Sequence, residues 1–191
     1  MHSFDLDTVF KSIWRKLDSA VKSRHEAWHL VSLATVRDKK PEIRTLVLRG
    51  VDPEQNLIWM HTDLRSPKAQ DIQKNPEGAL LFYDPLTRWQ LRLNGALSFD
   101  SQSETTERIW QNTSASAKRC HQGAEEPSTL TLIQNSNLPQ DPVSPDLGRE
   151  NFTRLLFHVS KMDWLFLRAE GHIRASWELN HSNAQGSWVI P

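Results

Sequence analysis

Four groups of residues in this 191-residue chain have types and spacing that could do chemistry. The first is Arg44-Thr45-Leu46-Val47-Leu48-Arg49, two arginines set in an apolar run. A guanidinium in such a place is costly unless it meets an anion or a carboxylate. Strand parity puts Arg44 and Arg49 on opposite faces unless a bulge intervenes, so they need not serve one group. Pairing with nearby acids at a barrel mouth is the plain alternative. The second group is Thr62-Asp63-Leu64-Arg65-Ser66-Pro67-Lys68, hydroxyls and a lysine where a strand gives way to a helix. Free N–H groups and the positive helix end suit a phosphate there. Ser66 as a simple cap explains the pattern equally well. One hairpin strand separates this group from Arg44, which lets both reach the same phosphate.

The third candidate is Gln90, polar in an otherwise alternating strand, whose amide donates and accepts at once; an outward solvated glutamine is its plain reading. The fourth is the run Asp163-Trp164-Leu165-Phe166 followed by Glu170-Gly171-His172-Ile173-Arg174. Its aromatics could floor a pocket and its His172/Arg174 pair could rim it, or they could be core packing and hairpin-end charges.

Other chemistries find less support. Cys120 is the only cysteine, which rules out an intrachain disulfide and a cysteine zinc site. His158, His172 and His181 lack metal-ligand spacing, and no Ser-His-Asp order is persuasive, so no metal is expected. Lysine plus arginine and aspartate plus glutamate both total 23, so the basic excess of a nucleic-acid binder is missing. No apolar run reaches the roughly 20 residues of a membrane helix. Acids near the N-terminus, at Asp5 and Asp7, are unlike a signal peptide, and a cytoplasmic protein is expected.

The elements that must position these groups follow from periodicity. Val9, Phe10, Ile13, Trp14, Leu17, Ala20 and Val21 form a helical stripe from Asp7 to about Arg24, within an N-terminal region of residues 1–28. Strands are expected at His29–Arg37, Glu42–Val51, Leu57–Thr62, Ala79–Tyr83, Trp89–Phe99, Leu155–Arg168 (bent near Lys161-Met162) and His172–Leu179. A short helix starts at Ser66-Pro67 and a longer one spans Glu104–His121. Residues 122–150, rich in proline, serine and asparagine, read as a long surface loop. Short turns between strands require antiparallel pairing. The expectation is one domain over residues 1–191, mainly β or α+β: an antiparallel barrel of six to seven strands with peripheral helices.

With these elements placed, RTLVLRG, HTDLRSPKAQDIQKNPEGALLFYDP, RWQLRLNG and DWLFLRAEGHIRASW, in that order, resemble the pyridoxamine 5′-phosphate oxidase family, and within it the oxidase-related FMN-binding proteins. The resemblance runs from Arg44 to Gly95 and resumes over residues 151–191. It implies an FMN-binding split barrel, a homodimer with FMN at the subunit interface, and oxidoreductase activity on a small molecule. Arg44 then stands at the arginine that grips the FMN phosphate. Thr45, Leu46, Val47 and Leu48 border the isoalloxazine, with Arg49 after them. His61 and Thr62 occupy the aromatic-threonine pair, Ser66 and Lys68 the rest of the phosphate seat. Gln90 meets the flavin edge from the neighbouring chain. His172 and Arg174 fall on the substrate side, where the oxidases have arginine and histidine in the opposite order.

Departures limit what is inherited. Pro67 replaces an arginine beside the phosphate lysine, and Ser176 replaces a flavin-contacting arginine. Thr113 and Ala117 stand where the oxidases hold their substrate's phosphate. A flavin-binding oxidoreductase with an unassigned substrate is therefore expected before a true pyridoxamine 5′-phosphate oxidase. A non-catalytic flavin carrier or sensor is the other reading.

Overall fold

The computed structural model describes residues 4–139, 144, 146–180 and 183–191. His181 lies outside the described residues, as does part of the 122–150 segment.

Helix α1 (Leu6–Lys22) begins where the Asp5 carboxylate accepts from the Thr8 N–H at 3.0 Å. A capping side chain of this kind satisfies one orphan donor of the first turn. Val9, Ile13, Trp14, Leu17 and Ala20 are its buried face, the stripe read from the sequence. That face lies over the barrel interior, with Phe10 and Trp177 ring centres 5.7 Å apart. Lys16 reaches Asp84 at 2.6 Å and ties the helix to the far end of a strand.

Strands β1 (Leu30–Arg37), β2 (Lys40–Asp52), β3 (Leu57–Asp63), β4 (Glu77–Asp84), β5 (Trp89–Asp100), β6 (Phe152–Phe166), β7 (Ile173–Asn180) and β8 (Asn183–Val189) form one antiparallel sheet in the order β3-β2-β1-β4-β5-β6-β7-β8. Pairing of β3 with β6 closes the first six into a barrel. Alternation explains why they form. In β5, Leu91, Leu93 and Leu97 are buried while Arg92 and Asn94 are exposed, the two-residue period of a half-buried strand.

The 15-residue β6 serves two partners along one edge. Phe152 to His158 pair with β3, and Lys161 to Phe166 pair with β7, while β5 lines the other edge throughout. The change of partner falls at a bulge, where Asn94 and Gly95 oppose Lys161 and Val159. Gly95 is required there, since a Cβ would lie 2.0 Å from the His158 carbonyl oxygen. The bend expected at Lys161-Met162 thus occurs at Ser160.

Two expectations need correction. The helix expected over Glu104–His121 is broken into α3 (Glu104–Asn112), α4 (Ala115–Lys118) and a 3-10 turn, Arg119–His121. Thr113 turns extended after α3 and Ser114 caps the restart, its hydroxyl accepting from Ala117 N–H. Hydroxyl side chains compete with the helical backbone in this way. The strand count is also short by one: β8 pairs along β7, with Gly186 lying against the Trp177 indole. Residues 122–150 contain no helix or strand among the described residues. Helix α2 (Pro67–Lys74) follows β3.

Candidate functional site

Strands β2 and β3 run together and then part. β2 pairs with β1 from Lys40 through Val47, but with β3 only from Leu48 to Asp52. β3 continues through His61, Thr62 and Asp63 on the ladder with β6. Along Thr45 to Val47 the β2 edge that faces β3 therefore has no ladder partner among the described residues. An unpaired edge leaves backbone donors and acceptors for another group. The opening is a slot, with the β2 edge on one side and His61-Thr62 on the other.

Charge collects at the Arg44 end of the slot. Arg44 is half-buried and anchored through one terminal nitrogen, which donates to Thr35 Oγ1 at 2.7 Å, to Glu42 O at 3.3 Å and to Leu33 O at 3.4 Å. Its other terminal nitrogen stands 3.9 Å from Asp71 Oδ2. Asp71 is already engaged, accepting from Arg37 at 2.8 and 2.9 Å, so it compensates Arg44 only in part. Lys68 comes from the first turn of α2, where Pro67 occupies the start. Its ammonium donates to Ser66 Oγ at 3.0 Å and has no carboxylate partner among the described residues. Burial pushes the Lys68 pKa down, and repulsion from Arg44 adds to it. Arg44 is lowered chiefly by burial, with Asp71 and Glu42 opposing. Arg44 and Lys68 thus share a partly dry corner in which Asp71 is bound to Arg37, and Glu42 and Asp63 act only through space, a corner suited to an anion.

Ser66 stands at the helix N-cap but does not cap with its side chain; its hydroxyl donates to Asp63 O at 2.7 Å instead. Thr62 Oγ1 and His61 Nε2 are buried without a hydrogen-bond partner. The indole nitrogens of Trp14, Trp28, Trp110 and Trp164 also lack partners, in the core; Thr62 Oγ1 and His61 Nε2 differ in standing on β3 at the slot, where a ligand could supply the bond. Arg44, Lys68 and Thr62 with the start of α2 offer a phosphate monoester a donor set, while the Ser66 hydroxyl is already given to Asp63 O.

The bulge that would complicate strand parity is present, between Leu48 and Gly50. Even so, Arg44 keeps to the inward side and Arg49 is exposed on the outward one. Arg49 is close enough to repel a proton on His61. Thr45 is exposed, Leu46 and Val47 half-buried, and Leu48 fully buried. Gln90 points outward on β5 between Tyr83 and Leu165. In the closed barrel β2 and β5 each have two neighbours and none in common, so β1 and β4 stand between Gln90 and the slot of its own chain.

The terminal run also divides. Trp164 is completely buried in the core, packed on Phe4 and Trp89, and takes no part in a pocket. His172 is exposed and accepts from the Arg168 N–H at 3.1 Å. Arg174 binds Asp163 at 2.7 and 3.2 Å, and Arg92 binds the same carboxylate at 2.9 Å. Thr113 spends its hydroxyl on Ile109 O at 2.7 Å. Three contributors went unread in the sequence: Thr35 and Asp71, which fix Arg44, and the Arg92–Asp163 pair. The polar-outward alternation of β5 singles out Arg92, but only the register across β6 gives it a partner.

Burial, and then repulsion from Arg49, His121 and Arg154, pushes His61 down to about 3. An unfolded histidine titrates near pH ~6.5, so between these values the unfolded chain binds the extra proton. His61 thus contributes stability above pH ~6.5 that is lost as pH falls toward 3, about 2 kcal/mol by pH 5. His61→Phe, which keeps the edge contact with Phe152, should make the flavin-free protein's melting temperature fall less between pH 7 and pH 5. Identical slopes for the two proteins would contradict this placement of His61.

A closed six-stranded antiparallel barrel that splits at β6, with a cationic corner and a slot between parting strands, defines a split-barrel protein of the flavin-binding type. The profile of the pyridoxamine 5′-phosphate oxidase FMN-binding domain family matches residues 11–101. A pyridoxine/pyridoxamine 5′-phosphate oxidase from Acinetobacter baylyi is 24% identical over the whole chain, which spans 89% of that enzyme. The chloroplastic pyridoxine/pyridoxamine 5′-phosphate oxidase 1 of Arabidopsis thaliana is 35% identical over 89 residues, 46% of this chain but only 16% of that protein's length. The crystal structure of a pyridoxamine 5′-phosphate oxidase-related, FMN-binding protein from Nostoc punctiforme superposes with a TM-score of 0.78 at 28% identity, over 95% of this chain and 96% of that one. The chain is a member of this pyridoxamine 5′-phosphate oxidase-like family of split barrels.

Proposed function

We propose that the protein is an FMN-dependent oxidoreductase acting on a small molecule, with the flavin held between two copies of the chain. The observation that carries this reading is the parting of β2 from β3 beside the Arg44–Lys68 corner. The corner offers charge-assisted bonds to a terminal phosphate, and the unpaired edge at Thr45–Val47 offers backbone groups to a heterocycle edge. A terminal monoester favours FMN over FAD, in which that phosphate is joined to a second phosphate through an anhydride and is no longer terminal. Bound flavin supplies the two-electron chemistry, and the chain supplies position and electrostatics.

The family resemblance places the flavin against Gln90 of the partner subunit, and the outward direction of Gln90 on β5 is compatible with that reading. Exposed apolar side chains on the outer face, Leu30, Val36 and Tyr83, suit a buried interface. Pyridoxamine 5′-phosphate is a poor fit as substrate, because Thr113 and Ala117 offer its phosphate no charge. No helix among the described residues is long and apolar enough to cross a membrane.

Purification with an absorption spectrum and chromatography of the released flavin tests the reading, followed by anaerobic reduction with NADH and NADPH separately. FMN should be released, at least one reductant should bleach it, and pyridoxamine 5′-phosphate should not. FAD alone, or no flavin uptake at micromolar concentration, would overturn the cofactor assignment. Bound FMN that no reductant or screened amine reduces would make the protein a carrier or sensor.

A further inference from the structure

The outer face of the sheet holds a cavity of about 480 Å³, within the size range of small-molecule sites. Its apolar walls come from Ile43, Leu81 and Val189, and its polar floor from Ser32, Asn94 and Ser176. Arg92, Asp163, Arg174 and Lys161 also line it. Charge counting decides what fits. Lys161 is matched by Glu178 at 2.5 Å. Asp163, almost buried, is shared by Arg92 at 2.9 Å and Arg174 at 2.7 Å, so two guanidiniums meet one carboxylate. One positive charge is left over. Both Asp163 oxygens are occupied, whereas Nε and one terminal nitrogen of Arg92, and one terminal nitrogen of Arg174, have no partner among the described residues. A guanidinium presents five N–H donors in a planar fork that matches a carboxylate.

We infer that this cavity is the substrate subsite and that it takes a small organic carboxylate, a monoanion with an apolar body, which Arg92 and Arg174 bind together. A cation would find no free carboxylate here. A dianion would be left half-compensated. Asp163 is the positioning residue: it holds the two forks side by side and cancels one of their charges. The cavity adjoins Gln90, which shares a cross-strand register with Leu165 and Arg174. The inference rests on the proposed function in one respect, that the partner's flavin lies against this face.

Calorimetric titration of the flavin-loaded protein tests it, using benzoate, neutral benzamide and cationic benzamidine as probes of one shape. Benzoate should bind at least tenfold more tightly than benzamide, benzamidine should not bind, and benzoate should perturb the flavin absorption band. Arg174→Gln and Arg92→Gln should each weaken benzoate about ten- to a hundredfold, the loss of one charged hydrogen bond. Benzoate no tighter than benzamide, or binding untouched by either substitution, would overturn the assignment. Failure of the protein to take up flavin would refute the proposed function separately, since calorimetry reports anion binding without a flavin signal. Benzoate binding that leaves the flavin spectrum unchanged would overturn the placement beside the flavin.

Discussion

Arg44→Ala should weaken FMN binding about ten- to a hundredfold, while Arg174→Ala leaves it nearly unchanged. Arg44 is held by Thr35, Leu33 and Glu42 through one nitrogen, so its remaining charge is fixed in place before any ligand arrives. Its nearest acid, Asp71, is bound to Arg37. A phosphate there gains a charge-assisted bond in a half-dry corner, about 1.5–3 kcal/mol. Arg174 is held by Asp163 on the outer face and lines the cavity there, away from the Arg44–Lys68 corner that offers charge to a phosphate. Fluorescence quenching of FMN titrated with apo-protein measures both variants. Equal losses, or a larger loss for Arg174, would place the flavin the other way round.

Trp164→Ala should destabilise the fold by about 3–5 kcal/mol, the range for removing a buried aromatic side chain. Trp164 has no exposed surface, meets Phe4 at 6.0 Å and Trp89 at 5.2 Å between ring centres, and lies on β6 between Leu91 and Ala175. Removing it opens a void between Phe4, Trp89 and the barrel wall. In a domain of this size that amounts to roughly 6–20 °C of melting temperature. Denaturant titration gives the free energy directly, and a loss below about 1 kcal/mol would show that Trp164 is less enclosed than its contacts imply.

Much of this was legible in the chain. The stripe Val9–Ile13–Leu17–Ala20 and the alternation of Leu91 and Leu93 with Arg92 and Asn94 are local patterns, and both elements formed where they point. The cationic corner was legible because Arg44 and Lys68 stand beside elements whose type is plain. What stayed hidden depends on pairing between distant segments. Nothing near Trp164 distinguishes a core indole from a pocket floor until β5 and β7 flank it. The break at Thr113 turns on two hydroxyls choosing backbone partners, a local contest too even for composition to decide. Strand β8, with Asn183, Gln185, Gly186 and Ser187, lacks apolar alternation, and Trp177 rather than its own side chains gives it a surface to lie on. Asp163 gains its second arginine only through the register of three strands.

The division of labour along β6 separates two kinds of tolerance to change. Residues 154–158 are laddered on both edges and closed into a ring, so a change there disturbs β3, β5 and with them the slot. Residues 161–166 carry β7 and β8 as an open-ended appendage on one edge. Ala175, Trp177 and Leu179 of that hairpin belong to the core, and Trp177 packs on Phe10 of α1, so they are as constrained as the barrel itself. Its outward positions Arg174 and Ser176 face the cavity instead, where an exchange of side chains alters the lining without repacking the interior.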